Sequence, residues 1–255
     1  MRVHVVSDVH GTPGALARAA DGADALFCLG DLILFLDYAD PSQGIFAELF
    51  GAADTAEFIR LRTDGRFEDA RAWTDQLWSR IGGDRRAHLE SAVRNQYAEL
   101  FAAMPTPAYL TYGNVDVPHL WPEYLREGHT LLDGAAVTLN GTRVGFVGGG
   151  LVSPYRTPYE LTDEQFAAKL DAVGDVDVLC THIPPSVPEL TYDVVARRFE
   201  RGSSALLQTV LERQPELLLF GHVHQPLAAR MRIGRTECIN VGHFRGSRRP
   251  FALTL

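Results

Sequence analysis

The chain has 255 residues and a mass of 28.1 kDa; 46% of its residues are hydrophobic and 22% charged, an ordinary balance for a soluble globular protein. That length can bury one large core, either as a single domain or as a domain carrying an insertion. The net charge of −8 argues against a broad nucleic-acid surface, which needs clustered Lys and Arg, and leaves a small anionic ligand open only if bound metals supply local positive charge. No apolar stretch approaches the ~18 residues of a membrane span. Met1-Arg2 leads directly into Val3-His4-Val5-Val6 without the long apolar region of a signal peptide. A cytoplasmic protein is expected. Cys28, Cys180 and Cys238 each lie in an apolar run, which reads as three buried, inert thiols in a reducing compartment.

In chain order, Val3 to Val6, Ala25 to Leu29, Ala108 to Tyr112, Val144 to Val147, Val176 to Cys180 and Leu217 to Phe220 read as strands. Their nearly continuous apolar character fits strands covered on both faces. Ala15 to Ala20, Thr162 to Val173 and Ser203 to Arg213 read as amphipathic helices between them, the second opening with a Thr162/Gln165 capping-box pattern. This alternation predicts an α/β protein. Residues 42–104 break the rhythm. Phe67, Ala70, Trp73, Leu77 and Ile81 follow helical spacing, as do Leu89, Val93, Tyr97, Leu100, Phe101 and Met104, with Asp84 as an N-cap between the two series. The expectation is one domain over residues 1–255 with a helical insertion of three or four helices over 42–104. Trp73 and Trp78 are read as packing residues. Because the insertion follows a site motif directly, its ends are expected near the site, and it is the expected source of specificity. Its apolar stripes could pack on their own core or on a second subunit, so a homo-oligomer stays open. From Ala228 onward a run of antiparallel strands is expected: Ala228 to Ile233, Thr236 to Asn240 and Pro250 to Leu255, with Gly234-Arg235 as a hairpin turn.

Five segments at strand ends carry the chemistry: Asp8-Val9-His10, Gly30-Asp31, Gly113-Asn114-Val115-Asp116, Thr181-His182 and Gly221-His222-Val223-His224. In extended backbone residues i and i+2 point to one side, so Asp8/His10 and His222/His224 can each aim at one pocket. Asp8, His10, Asp31, Asn114, His182, His222 and His224 supply oxygen and imidazole donors and no thiolate. Such a set suits two divalent ions drawn from Mn, Fe, Zn or Co.

That order of motifs resembles the calcineurin-like metallophosphoesterase family from Asp8 to His224, and Ile239-Asn240-Val241-Gly242 is similar to the family's closing strand and turn. The resemblance implies a four-layer α/β/β/α sandwich of two mixed sheets with an inserted helical subdomain. It also implies that Asp8, His10, Asp31 and His224 hold one metal. Asp31 bridges to a second, which Asn114, His182 and His222 complete. The implied reaction is hydrolysis of a small phosphodiester or phosphomonoester by a hydroxide bridging the two ions, which would lie roughly 3.5–4 Å apart. No extended nucleic acid and no membrane is expected as a partner.

Position 115 departs from the family pattern. Many members carry a histidine there that assists the leaving oxygen or holds the phosphate, whereas Val115 can neither donate nor accept a proton. Placed proton transfer contributes about 10²- to 10⁴-fold, less than the metal-derived terms, so activity is expected to survive with a narrower choice of leaving group. His119 and His243 are candidate substitute donors, more simply read as structural. Asp116 is expected to orient Asn114 or a nearby group within the catalytic set. Arg156, Arg245, Arg248 and Arg249 are candidate phosphate contacts, the first two foremost. Two other readings remain: a scaffold that keeps the fold for partner contact, motivated by Val115 and the aromatic-rich insertion, and a metal-dependent nuclease, against which the missing basic groove counts.

Overall fold

In the computed structural model, which describes residues Met1–Leu255, the apolar runs become strands and most of the amphipathic runs helices. The chain opens with β1 (Arg2–Val6), one helical turn α1 (Pro13–Leu16) and β2 (Ala25–Cys28). Four helices follow: α2 (Ile45–Phe50), α3 (Ala52–Thr63), α4 (Phe67–Ile81) and α5 (Arg85–Ala103). Next come β3 (Ala108–Leu110), a 3-10 helix (Pro118–Glu123), β4 (His129–Leu131), β5 (Ala135–Leu139) and β6 (Thr142–Val147). The short β7 (Gly150–Leu151) and β8 (Glu160–Leu161) lead to α6 (Asp163–Val173) and β9 (Val178–Thr181). After α7 (Pro188–Thr191), β10 (Tyr192–Asp193) and β11 (Arg198–Phe199) come α8 (Ser204–Arg213) and β12 (Leu217–Phe220). The chain closes with β13 (Arg230–Ile233), β14 (Thr236–Asn240), α9 (Phe244–Ser247) and β15 (Phe251–Thr254).

Two mixed sheets form an α/β sandwich. One has the order β15-β1-β2-β3-β4, the other β13-β14-β12-β9-β6-β5. Within each, the inner pairs are parallel and the outer β15 and β13 pair antiparallel, as does β5 with β6. Between the sheets lies a core of Val3, Val5, Phe27, Leu29, Val144, Phe146, Cys180, Leu219 and Ile239. Their strand neighbours Val147, Leu179, Leu218 and Phe220 face the other way, against Phe166 and Leu170 of α6 and Leu206 and Val210 of α8. Alternation along a strand therefore sends apolar side chains to two different cores, which is why these runs read as continuous in sequence. In the first sheet Leu26 and Cys28 are fully buried on the face opposite Phe27.

Met1–Leu32 with Leu100–Leu255 form one compact unit and Ile33–Glu99 a second. The second contains α2, α3, α4 and most of α5. Its core joins Phe46, Phe58, Leu61, Ala70 and Leu77, with Phe46 stacked on Phe58 at 4.3 Å. Trp78 is buried edge-on to Phe50, and Trp73 packs on the same core while its Nε1 donates to Asp54 O. The side chain of Asp84 accepts from Arg86 N at the start of α5. Gln96 clamps the backbone of Leu34 from both sides, accepting from its N–H and donating to its C=O.

Two expectations are corrected. The helix expected over Ala15 to Ala20 stops at Leu16; Arg18 and Ala19 continue as i→i−3 turns, and the Ala19 carbonyl is taken by His4 Nδ1 at 2.8 Å. The C-terminal strands do not form one antiparallel run. β13 and β14 make the expected hairpin, but β15 crosses to the other sheet and pairs with β1. No helix is long and apolar enough to cross a membrane. All three cysteines are buried, free thiols; burial pushes Cys28 up to about 12 and Cys238 up to about 11.

Candidate metal centre

Parallel strands bring the five motifs to the carboxyl ends of β1, β2, β3, β9 and β12, where α/β sheets bind their ligands. Backbone bonds lock the loops together: Asp8 N to Gly30 O, His10 N to Asp31 O, and Gly221 N to His182 O, each 3.0 Å. Four of the seven candidate ligands turn sharply there with left-handed backbone, Asp8 (φ 57°), His10 (42°), Asp31 (55°) and His222 (67°). Such conformations cost a non-glycine residue roughly 1 kcal/mol or more and gather where function requires them. Two glycines make the approach possible. A Cβ on Gly113 would overlap the Asp31 carboxylate, and one on Gly221 would overlap Ser7 and Asp8.

The side chains meet at two adjoining points. At the first, His10 Nε2 lies 3.3 Å from His224 Nε2, and both face Asp8 Oδ1, at 3.8 and 3.4 Å respectively. Asp31 Oδ2 lies 3.8 Å from His10 Nε2, and donor atoms of Asp8, His10 and Asp31 fall within 4.8 Å of one another. At the second, His182 Nε2 is 3.5 Å from Asp31 Oδ2 and 3.0 Å from Asn114 Oδ1, with the His222 ring edge-on at 5.2 Å. Asp31 thus touches both groups through the same oxygen.

A second layer of bonds aims these donors. Asp8 Oδ2 accepts from His222 N, leaving Oδ1 buried without a hydrogen bond. Asp31 Oδ1 accepts from Val115 N, leaving Oδ2 toward the imidazoles. His182 Nδ1 bonds Leu29 O at 2.9 Å, which turns Nε2 toward Asn114 and Asp31. Asn114 Nδ2 donates to Thr157 Oγ1, and Tyr159 N donates to Asn114 O. The connection between β7 and β8 therefore holds Asn114, a role that no sequence motif announced. Asp116 accepts from Asp31 N, Leu32 N and Gly113 N, so it braces the backbone of Asp31 rather than the Asn114 side chain.

Electrostatics follow from crowding charge in a buried space. Burial alone would raise the Asp8 carboxyl, but His224, His182 and His10 hold it well below the ordinary carboxylate range. Asp31 is lowered against burial by His182 and His10. Burial and the Asp31 charge push Asp116 up to about 7, against the backbone N–H groups that favour its carboxylate. His182 rises to about 9, because Asp31 outweighs the burial that would lower it. Burial and His182 lower His222. His243 falls to about 4 through burial and the neighbouring His224.

A buried carboxylate oxygen that lacks a hydrogen bond and faces two imidazole nitrogens is what a cation would complete, and the donor set of carboxylate, carboxamide and imidazole suits a divalent first-row metal. Of the remaining candidates, His119 and the four arginines lie outside this core of donors. His119 is exposed on the 3-10 helix. Arg245 donates from Nη1 to His10 O at 2.8 Å. Arg156 is exposed beside Thr157, and Arg248 and Arg249 are exposed at the end of α9.

Comparison with known proteins agrees with this fold. One solved crystal structure aligns with a TM-score of 0.61 at 13% identity, covering 95% of this chain and 91% of the other. The crystal structure of TT1561 from Thermus thermophilus aligns with a TM-score of 0.54 at 15% identity, covering 99% and 98%. At such identities the likeness concerns the fold alone. No curated protein matches the chain. The sequence model of the calcineurin-like phosphoesterase family matches residues 1–226, so the chain belongs to that family of metal-dependent phosphoester hydrolases.

Proposed function

We propose that the protein hydrolyses a small phosphodiester or phosphomonoester, with Asp8, His10, Asp31 and His224 holding one divalent ion and Asp31, Asn114, His182 and His222 the other. The observation that carries this is the shared Asp31 Oδ2, flanked by His10 on one side and His182 on the other. Ions bound there would neutralise phosphoryl charge and make water a nucleophile at neutral pH, so no protein serine or cysteine is needed. The chain's own residues orient and shield. His182 is held to one tautomer by Leu29, Asp8 and Asp31 each keep one oxygen aimed inward, and Asp116 holds the Asp31 turn. Val115 brings a backbone N–H to Asp31 and no proton to a leaving group.

The test measures bound metal and turnover of aryl phosphodiester and phosphomonoester substrates with Mn²⁺, for the wild type, Asp31→Asn and His222→Ala. Turnover should fall about 10²-fold or more in both variants, since even outer-shell changes at metal sites cost 10–100-fold. A wild type that neither binds metal nor turns over either substrate would leave the scaffold reading in place. Cleavage of DNA in preference to both small esters would favour a nuclease.

A further inference from the structure

One imidazole at the cluster has no task in the proposed reaction. His243 follows the Asn240-Val241-Gly242 turn and occupies the N-cap of α9, yet its side chain makes no capping bond. Its ring lies face to face with His224, centroids 3.9 Å apart and planes at 1°, and edge-on to His10 at 5.8 Å. One ring nitrogen from each of His10, His224 and His243 lies within 4.8 Å of the others. The Nε2 of His243 is buried and has no hydrogen-bond partner. Leaving a buried polar nitrogen unsatisfied costs about 1–3 kcal/mol, so a histidine serving only to fill space is poorly suited to the position.

The placement is built rather than incidental. Asn240 Nδ2 donates to Gly221 O and Val223 O while its Oδ1 accepts from Gly242 N, which fastens the turn before His243 to the loop carrying His222 and His224. Phe244 N and Arg245 N donate to Ser7 O and Asp8 O, fastening the residues after it to the Asp8 loop. A Cβ at Gly246 would come within 3.1 Å of Nδ1, so the glycine leaves the imidazole its room.

We propose that His243 is a further ligand of the metal centre, presenting Nε2 to a divalent ion beside His10 and His224. This rests on the reading of the cluster as a metal centre and adds a residue to it. Three imidazoles at one ion enrich its nitrogen donors, which shifts preference toward Zn²⁺, Co²⁺ or Fe over the oxygen-favouring ions. With the two ring planes parallel, sharing an ion requires the stack on His224 to tilt.

The experiment titrates Zn²⁺ into full-length protein carrying ¹⁵N-labelled histidine. Ring nitrogens of His10, His182, His222, His224 and His243 should all move to the metal-bound range. If the His243 nitrogens stay at their free positions while the other four move, the proposal is overturned and the hydrolase reading stands. If none moves, both fall. A second arm measures Zn²⁺ affinity by chelator competition for His243→Phe, which keeps a ring for stacking but no nitrogen, and His243→Ala. Both should bind one ion roughly 10–100-fold more weakly. Wild-type affinity in the Phe variant with loss only in the Ala variant would mean that His243 braces His224 by stacking, which also overturns ligation.

Discussion

His182 shows how one residue's environment sets its behaviour. Without metal, Asp31 holds its imidazolium and raises its pKa from 6.5 to about 9. A raised folded-state pKa means the contribution to stability is complete below pH 6.5 and lost as pH climbs through about 9. The chelator-treated protein should therefore show a falling thermal midpoint between pH 6.5 and 9, and His182→Asn should flatten that slope. Metal binding needs the neutral imidazole, so Zn²⁺ or Mn²⁺ affinity should rise across the same interval, measured by chelator competition. Val115 makes a complementary case. With no side-chain proton donor there, rates should fall steeply as the leaving group changes from aryl to alkyl. Val115→His should raise turnover of the alkyl ester about 10²-fold while leaving metal affinity unchanged. An unchanged alkyl rate would mean that another group already serves. The donor identities at both positions are legible in sequence; the Thr157 contact that holds Asn114 is not, because it joins residues 43 positions apart with no motif at either end.

Elements are readable where a strand is buried on both faces or a helix is capped by its own sequence. β12 appears with the expected limits, and α6 begins at the Thr162/Gln165 capping box with both of its bonds formed. β4 and β5 escape a sequence reading, since both are short and their residues are mostly half-buried at the sheet edges. α1 is shorter than its pattern: past Leu16 the chain tightens into i→i−3 turns, and the carbonyl of Ala19, beyond the helix end, is taken by His4 of β1. Ser203 links two helices: its Oγ accepts from Leu206 N as the N-cap of α8 and donates to Asp163 at the start of α6. Ser203→Ala should lower stability by about 1–2 kcal/mol in urea unfolding while leaving metal content unchanged, because neither helix carries a donor of the cluster.

At the scale of the molecule, a centre that forms only when five loops converge couples metal binding to folding. Ions bind the folded chain and not the unfolded one, so loading to about 100 times the dissociation constant should stabilise by about 2.7 kcal/mol. For a chain of this size that is roughly 5–11 °C in thermal midpoint, which a chelator should remove and added Mn²⁺ restore in a calorimetric scan. Asp31→Asn should abolish most of that shift.

By itself the sequence determined which residue types stand at the strand ends, their order, the α/β alternation and the presence of helices between the second and third core strands. These are local properties, written in apolar runs, turn residues and short motifs. Only the tertiary structure decided that Asp31 Oδ2 serves both groups of donors, that Asp116 braces a backbone turn, that β15 crosses to the first sheet, and that His243 stacks on His224. Each of these depends on which distant segments meet, and periodicity along one segment carries no record of its partner.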